Sequence, residues 1–223
     1  MKLPAHIFHL AEAANWPSIQ QHGLLSTSAL LDLAGIRGTE RDRFERQHRP
    51  VHTELPNGVQ VRDQKPMPPQ ALAQCLIGMR PEDWYRTVNA KVFFWLDPAR
   101  VDRQRGACEP RPQVVLVVDT QRLLACYGQK ATLSPINTGH ARRKPAVRGQ
   151  STFVPYGVWL ESAWSTEVSG LNTRVRPHSH RPVELTVHEA VSDIMGMVVH
   201  VCRLGPGESF RGLPARLLSR HSR

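Results

Sequence analysis

The sequence predicts an α+β fold with helices mainly in its N-terminal half and strands in its second half. Three observations predict it. Capped segments of helical length gather in the first 90 residues, apolar strand-length runs gather after them, and no regular βαβ alternation of the kind that builds a parallel sheet is present. The 223 residues suit a single domain, 1–204, followed by a basic tail, 205–223, with Arg211, Arg216, Arg220 and Arg223. With 40% hydrophobic and 22% charged residues the chain can bury a core.

The elements follow in order. Ile7–Leu10 reads as a short strand. Asn15 is the expected N-cap of a helix with Pro17 in its first turn and Gly23 at its end. Ser26-Thr27-Ser28 caps a second helix. From Arg37 to Arg49 charges of both signs alternate, which predicts a solvated helix. Asn57-Gly58 marks a small hairpin between Val51–Leu55 and Val59–Arg62. The proline patch Lys65-Pro66-Met67-Pro68-Pro69 is a loop, and Ala71–Met79 and the surroundings of Trp84 read as helical.

Strands then take over. Val92-Phe93-Phe94-Trp95-Leu96 is apolar at successive positions and is expected to be buried on both faces, as is Gln113–Asp119. Thr120 starts a short helix to Tyr127, and Lys130–Ser134 reads as a strand. Residues 135–182 read as a long irregular region. Val183–His188 alternates, so that Val183, Leu185 and Val187 share one face and Glu184, Thr186 and His188 the other. Gly196–Arg203 is expected as its antiparallel neighbour.

The charge narrows the class of partner. Twenty-nine Lys and Arg against 19 Asp and Glu give +10, a field that attracts polyanions. Thr120–Leu160 holds Arg122, Lys130, Arg142, Arg143, Lys144 and Arg148 and no acid, and Val168–Val183 holds Arg174, Arg176 and Arg181 beside His178 and His180. Arg142, Arg143, Lys144 and Arg148 are therefore the candidate nucleic-acid contacts. No apolar run is long enough for a membrane span, and the first residues lack a signal peptide's apolar segment, so a cytoplasmic location is expected. Cys75, Cys108, Cys126 and Cys202 have neither zinc nor disulfide-framework spacing and are expected reduced. The phosphate-loop, dinucleotide-fold, HExxH and GxSxG motifs are all absent. What stands out instead is polar residues inside apolar strands, His9 and Glu184, because burying a carboxylate without a partner is costly.

Phe8-His9, Asn15-Trp16-Pro17-Ser18-Ile19 and Gly23-Leu24-Leu25-Ser26 resemble the opening of DarT-type ADP-ribosyltransferases. Val183-Glu184-Leu185-Thr186-Val187, followed by Val191-Ser192-Asp193-Ile194, is similar to the strand that carries that family's catalytic glutamate. Over nearly its whole length the chain also resembles a group of uncharacterised bacterial proteins with the blocks Val61-Arg62-Asp63-Gln64-Lys65-Pro66-Met67 and Leu133-Ser134-Pro135-Ile136-Asn137-Thr138-Gly139. That second likeness implies no function.

The first implies an ADP-ribosyltransferase-like split antiparallel β-sandwich, NAD as substrate in the cleft, no metal, and transfer of ADP-ribose to an acceptor. The +10 charge favours nucleic acid over protein as that acceptor, and the resemblance favours DNA. By analogy the resemblance also implies a toxin or defence role with a neutralising antitoxin partner. It assigns Glu184 to the ribose, where a carboxylate favours the positive charge that builds as nicotinamide leaves. Arg49, chosen from Arg37, Arg41, Arg43, Arg46 and Arg49, is the candidate catalytic arginine. His9, Asn15, Ser26 and Thr27 are assigned to NAD, and Phe94 or Trp95 to stacking on the nicotinamide. The alternative is a catalytically silent nucleic-acid-binding protein of the same fold. A phosphotransferase acting on RNA 2′-phosphates would need several basic residues in the cleft rather than one.

Overall fold

The computed structural model describes residues 2–177 and 179–210. Seven antiparallel strands form its central sheet: β1 (His6–Glu12), β2 (Lys91–Trp95), β3 (Gln113–Asp119), β4 (Ala131–Ser134), β5 (Val154–Pro155), β6 (Glu184–His188) and β7 (Val198–Leu204). In space they run β5-β4-β6-β2-β1-β3-β7. The fold is thus mixed α+β around one large antiparallel sheet.

Composition decides where each strand sits. In β3 every residue from Gln113 to Val118 is buried. Val114, Leu116 and Val118 face the main core with Ile7 and Leu123. Val115 and Val117 face a second core with Phe8, Leu10, Val101 and Phe210. A strand apolar on both faces is stable only when both are covered. Here the second face is covered by helix α6 (Pro98–Ala107), which supplies Val101 and follows α1 (Trp16–His22), α2 (Thr27–Leu33), α3 (Gly38–Arg46), α4 (Pro69–Ala73) and α5 (Pro81–Asn89) in the chain.

The sheet comes apart at its middle. β1 pairs with β3 from His6–Asp119 to Glu12–Gln113, but with β2 at the single rung Phe8–Trp95. Continued register would set Leu10 opposite Phe93 and Glu12 opposite Lys91. Instead the His9 side chain reaches the Phe93 carbonyl, Nδ1 to O at 2.8 Å. The seven strands thus form one hydrogen-bonded sheet, in which β1 parts from β2 beyond a single rung.

Several local expectations match. The Asn57-Gly58 turn joins Thr53–Glu54 to Gln60–Val61, and the charged stretch is the helix Gly38–Arg46. Gly23 ends the helix Trp16–His22 at φ 76°, and a Cβ there would lie 2.4 Å from the Val191 carbonyl oxygen. That position therefore needs glycine for its backbone and for its packing.

The helices lie mainly in the first half, as expected: six of the nine α-helices among the described residues end by Ala107. Other expectations need correction. Three α-helices, Thr120–Tyr127, Tyr156–Ser162 and Ser165–Leu171, interrupt the strands of the second half. The last two occupy the stretch read as irregular, because seven-residue helices without side-chain caps leave little periodic signal. β7 does not lie beside β6; it pairs with β3 at the opposite edge. The helical reading of Ala71–Met79 shortens to Pro69–Ala73, followed by Leu76–Ile77, which pairs in parallel with Arg148–Gly149.

No described helix is long and apolar enough to cross a membrane. The arginines of the tail, which fall in 211–223, and His178 lie outside the described residues.

Candidate active site

A cavity of about 720 Å³ opens where β1 leaves β2. One wall is the β1 segment from His9 to Glu12, the other is β2 with Glu184 of β6. The segment 59–67 straps over it, loop 137–140 completes the roof, and Ser26 and Thr27 stand at one end. These two segments overlap the sequence blocks Val61–Met67 and Leu133–Gly139, and just past the loop Ala141 N–H donates to the Pro66 carbonyl at 2.8 Å.

Glu184 reaches the cavity through strand alternation. Leu185 and Val187 enter the main core, so Glu184 and Thr186 turn to the other face. The carboxylate is 3% exposed, and no described cation forms an ion pair with it. Thr138 N–H donates to both oxygens at 3.2 Å and Thr138 Oγ1–H to Oε2 at 2.7 Å. Burial pushes its pKa up to about 7, and the Thr138 hydrogen bonds and the positive fields of Arg148 and Arg100 limit the rise.

His9 is held by its bond to the Phe93 carbonyl. A carbonyl only accepts, so Nδ1 carries the proton and Nε2 is left as an acceptor. Burial lowers the pKa to about 4, against the bond to Phe93 and with the field of Arg62. The ring is therefore neutral at pH 7. It packs 5.8 Å, centroid to centroid, from Phe94.

The remaining expected site residues divide. Trp95 lines the cavity, with Nε1–H donating to Gln104 at 2.7 Å and Arg100 6.0 Å above the ring. Phe94 does not, being 0% exposed on the core face of β2, so Phe93 lines the cavity in its place. The expectation that this strand is buried on both faces fails for the same reason. Ser26 lines the cavity while accepting the Ala29 N–H as helix cap. Asn15 also lines it but caps nothing: its amide donates to the Gln60 carbonyl at 2.8 Å and accepts the Gln60 N–H at 2.7 Å, which fixes the strap to the end of β1.

Arg49 is corrected from catalytic candidate to scaffold. It is 8% exposed and outside the cavity lining. Its guanidinium donates to the Arg62 and Phe44 carbonyls and to Asn89. Arg148 is likewise corrected. It is 1% exposed and donates to the carbonyls of Thr138, His140 and Ala146, so it cannot meet a nucleic acid. Arg142, Arg143 and Lys144 are exposed on the same loop.

Sequence reasoning missed much of the polar lining. Arg100 and Arg103 on α6 face the cavity one turn apart. At the far end Arg62 and Arg111 both bind the buried Glu12 carboxylate, which also accepts from Gln113. Burial works to raise the Glu12 pKa, but the two guanidiniums outweigh it and hold the group below the usual range. Lys91 has its ammonium 4.7 Å from the Phe153 ring centre, and burial lowers its pKa to about 8. The start of α6 was signalled by Asp97-Pro98, and Thr138 by the block that contains it. The Glu12 network joins positions far apart in sequence and left no such signal.

Cysteines 75, 108, 126 and 202 are free thiols. Among the described residues no cluster of His, Cys, Asp and Glu could hold a metal ion.

Fold and cavity together define an α+β protein with a ligand-sized cleft in a parted antiparallel sheet. Residues 5–198 match a family of unknown function, DUF7002, and the chain belongs to that family. No curated protein matches it.

Proposed function

We propose that this protein is an NAD-dependent mono-ADP-ribosyltransferase with an ADP-ribosyltransferase-like fold, acting on a nucleic-acid acceptor. The observation that carries the reading is that His9 and Glu184, from opposite ends of the chain, share one cavity with Trp95. The volume falls within the ~300–1,000 Å³ typical of small-molecule sites.

Each group then has a task. His9 Nε2 accepts a hydrogen bond from a ribose hydroxyl, and its neutrality keeps a positive charge away from the carbon that becomes cationic. Trp95 and Phe93 offer ring faces to nicotinamide. As the glycosidic bond breaks, its electron pair leaves with nicotinamide, and the ionised Glu184 stabilises the oxocarbenium-like sugar. An acceptor attacks the same carbon. Arg62, Lys65, Lys91, Arg100, Arg103 and Arg111 line the cavity with Glu12, Asp63 and Glu184, a positive balance suited to a diphosphate.

The test is nicotinamide release from NAD by the purified protein. Wild type should release it and Glu184→Gln should lower the rate at least about 100-fold. Because Glu184 must be ionised, release should rise as pH passes through about 7. If wild type and variant are equally inert yet both retard DNA with a steep salt dependence, the protein is a catalytically silent nucleic-acid binder.

One observation favours a second reading. The several basic residues lining the cavity suit an NAD-dependent phosphotransferase acting on RNA 2′-phosphates. Nicotinamide release that requires a 2′-phosphorylated RNA would select it.

A further inference from the structure

We propose that Thr138 is the positioning residue of the cavity: backed by Arg148, it holds the Glu184 carboxylate in one orientation facing the ligand. The inference rests on the transferase reading for its rate measurement but not for its structural one.

The geometry is that of a two-point clamp. Thr138 is 0% exposed, and its N–H and hydroxyl both donate to Glu184, so the carboxylate cannot turn without losing one of them. Carboxylates accepting such bonds are stabilised in the charged form. The clamp is itself anchored. Arg148 donates to the Thr138 carbonyl at 3.0 Å and to the His140 carbonyl at 2.9 Å, and it sits 5.7 Å above the Trp84 ring. The backbone of Arg148 is fixed in the parallel pair with Leu76. The guanidinium thus stands behind the loop as a buried positive charge whose bonds run to carbonyls, and Glu184 is a carboxylate within reach of its field.

The other charged group whose field reaches Glu184 is Arg100 on α6. Its strand neighbours, Trp95 on β2 and Ser134 on β4, carry no charge, and His9 on β1 is neutral. Removing the Thr138 hydroxyl should therefore move Glu184 toward its protonated form and free it to rotate. This gives a role to the Leu133–Gly139 block, which on sequence alone carried none.

The experiment labels glutamate side-chain carboxyls with ¹³C in the full chain, assigns Glu184 by difference with Glu184→Gln, and titrates wild type, Thr138→Val and Thr138→Ser. Thr138→Val should raise the Glu184 midpoint by about one pH unit, and Thr138→Ser should restore it. The pH profile of nicotinamide release should shift with the midpoint, and the rate at pH 7 should fall about fivefold. Thr138→Ala, read in the same way, serves if valine disturbs the loop. A Glu184 titration that overlays wild type in the variant lacking the hydroxyl overturns the proposal. A midpoint that moves and is restored by serine, in a protein that releases no nicotinamide, upholds the clamp and defeats the transferase reading.

Discussion

The two halves of the central sheet use the same kind of strand for different ends. On one side of the parting, β1, β3 and β7 zip together along nearly their whole length, and β3 is apolar and buried on both faces. On the other side, β2 and β6 bury Val92, Phe94, Leu185 and Val187 on one face but present Lys91, Phe93, Trp95 and Glu184 to the cavity on the other. The first half obtains stability from area removed from water. The second gives up part of that on one face, and places there a carboxyl whose ionisation burial opposes. The two halves thus meet at one rung, and the cavity draws the buried Glu184 from the second and His9 from β1 of the first.

The sharpest way to break this division is a cavity in the first half. Leu116→Ala, in the centre of β3, should cost about 4 kcal/mol and lower the melting temperature by about 10 °C in a thermal scan. Glu184→Gln should act in the opposite sense, with a pH dependence. The folded pKa of Glu184 lies above its unfolded value of 4.5, so the stability this group contributes is complete below 4.5 and lost as pH rises through about 7. The variant should therefore gain on wild type by on the order of 3 kcal/mol between pH 4 and pH 8 in denaturant melts.

Arg49→Met tests whether that residue is scaffold. It should cost about 2–3 kcal/mol by leaving buried carbonyls unpaired, while NAD affinity measured by calorimetry is unchanged. The smallest effect on stability belongs to the triple variant Arg142→Gln, Arg143→Gln, Lys144→Gln, within about 0.5 kcal/mol of wild type. If this loop meets the acceptor, the salt dependence of DNA binding should weaken by up to about three counterions.

What was legible in the sequence was local or periodic. The alternation in Val183–His188 correctly put Glu184 on the face away from Leu185, and Asn57-Gly58 correctly marked a turn, because each signal lies within a few residues. The strand Val92–Trp95 shows the limit. With apolar side chains at successive positions its period gives no sign of which face is core, so Phe94 and Trp95 read as equal candidates, of which only Trp95 lines the cavity, and Phe93 carries no signal of its own. Arg49 and Arg148 failed for another reason. A buried arginine satisfied by carbonyls looks in sequence like any surface arginine, since its partners are main-chain atoms that leave no residue-type signature. The placement of β7 against β3 depended on a long-range pairing that no local pattern encodes.

The bond from His9 to the Phe93 carbonyl has a consequence for how the pocket can vary. The imidazole bridges β1 to the Phe93 carbonyl beside the place where the next rung, Leu10 with Phe93, would close. A shorter residue in place of His9, such as serine, would invite Leu10 and Phe93 to knit together and erase the binding space while making the β-structure more continuous. Selection for a more regular sheet and selection for a place to hold a ligand therefore pull in opposite directions at this residue, and His9 acts as the spacer between them.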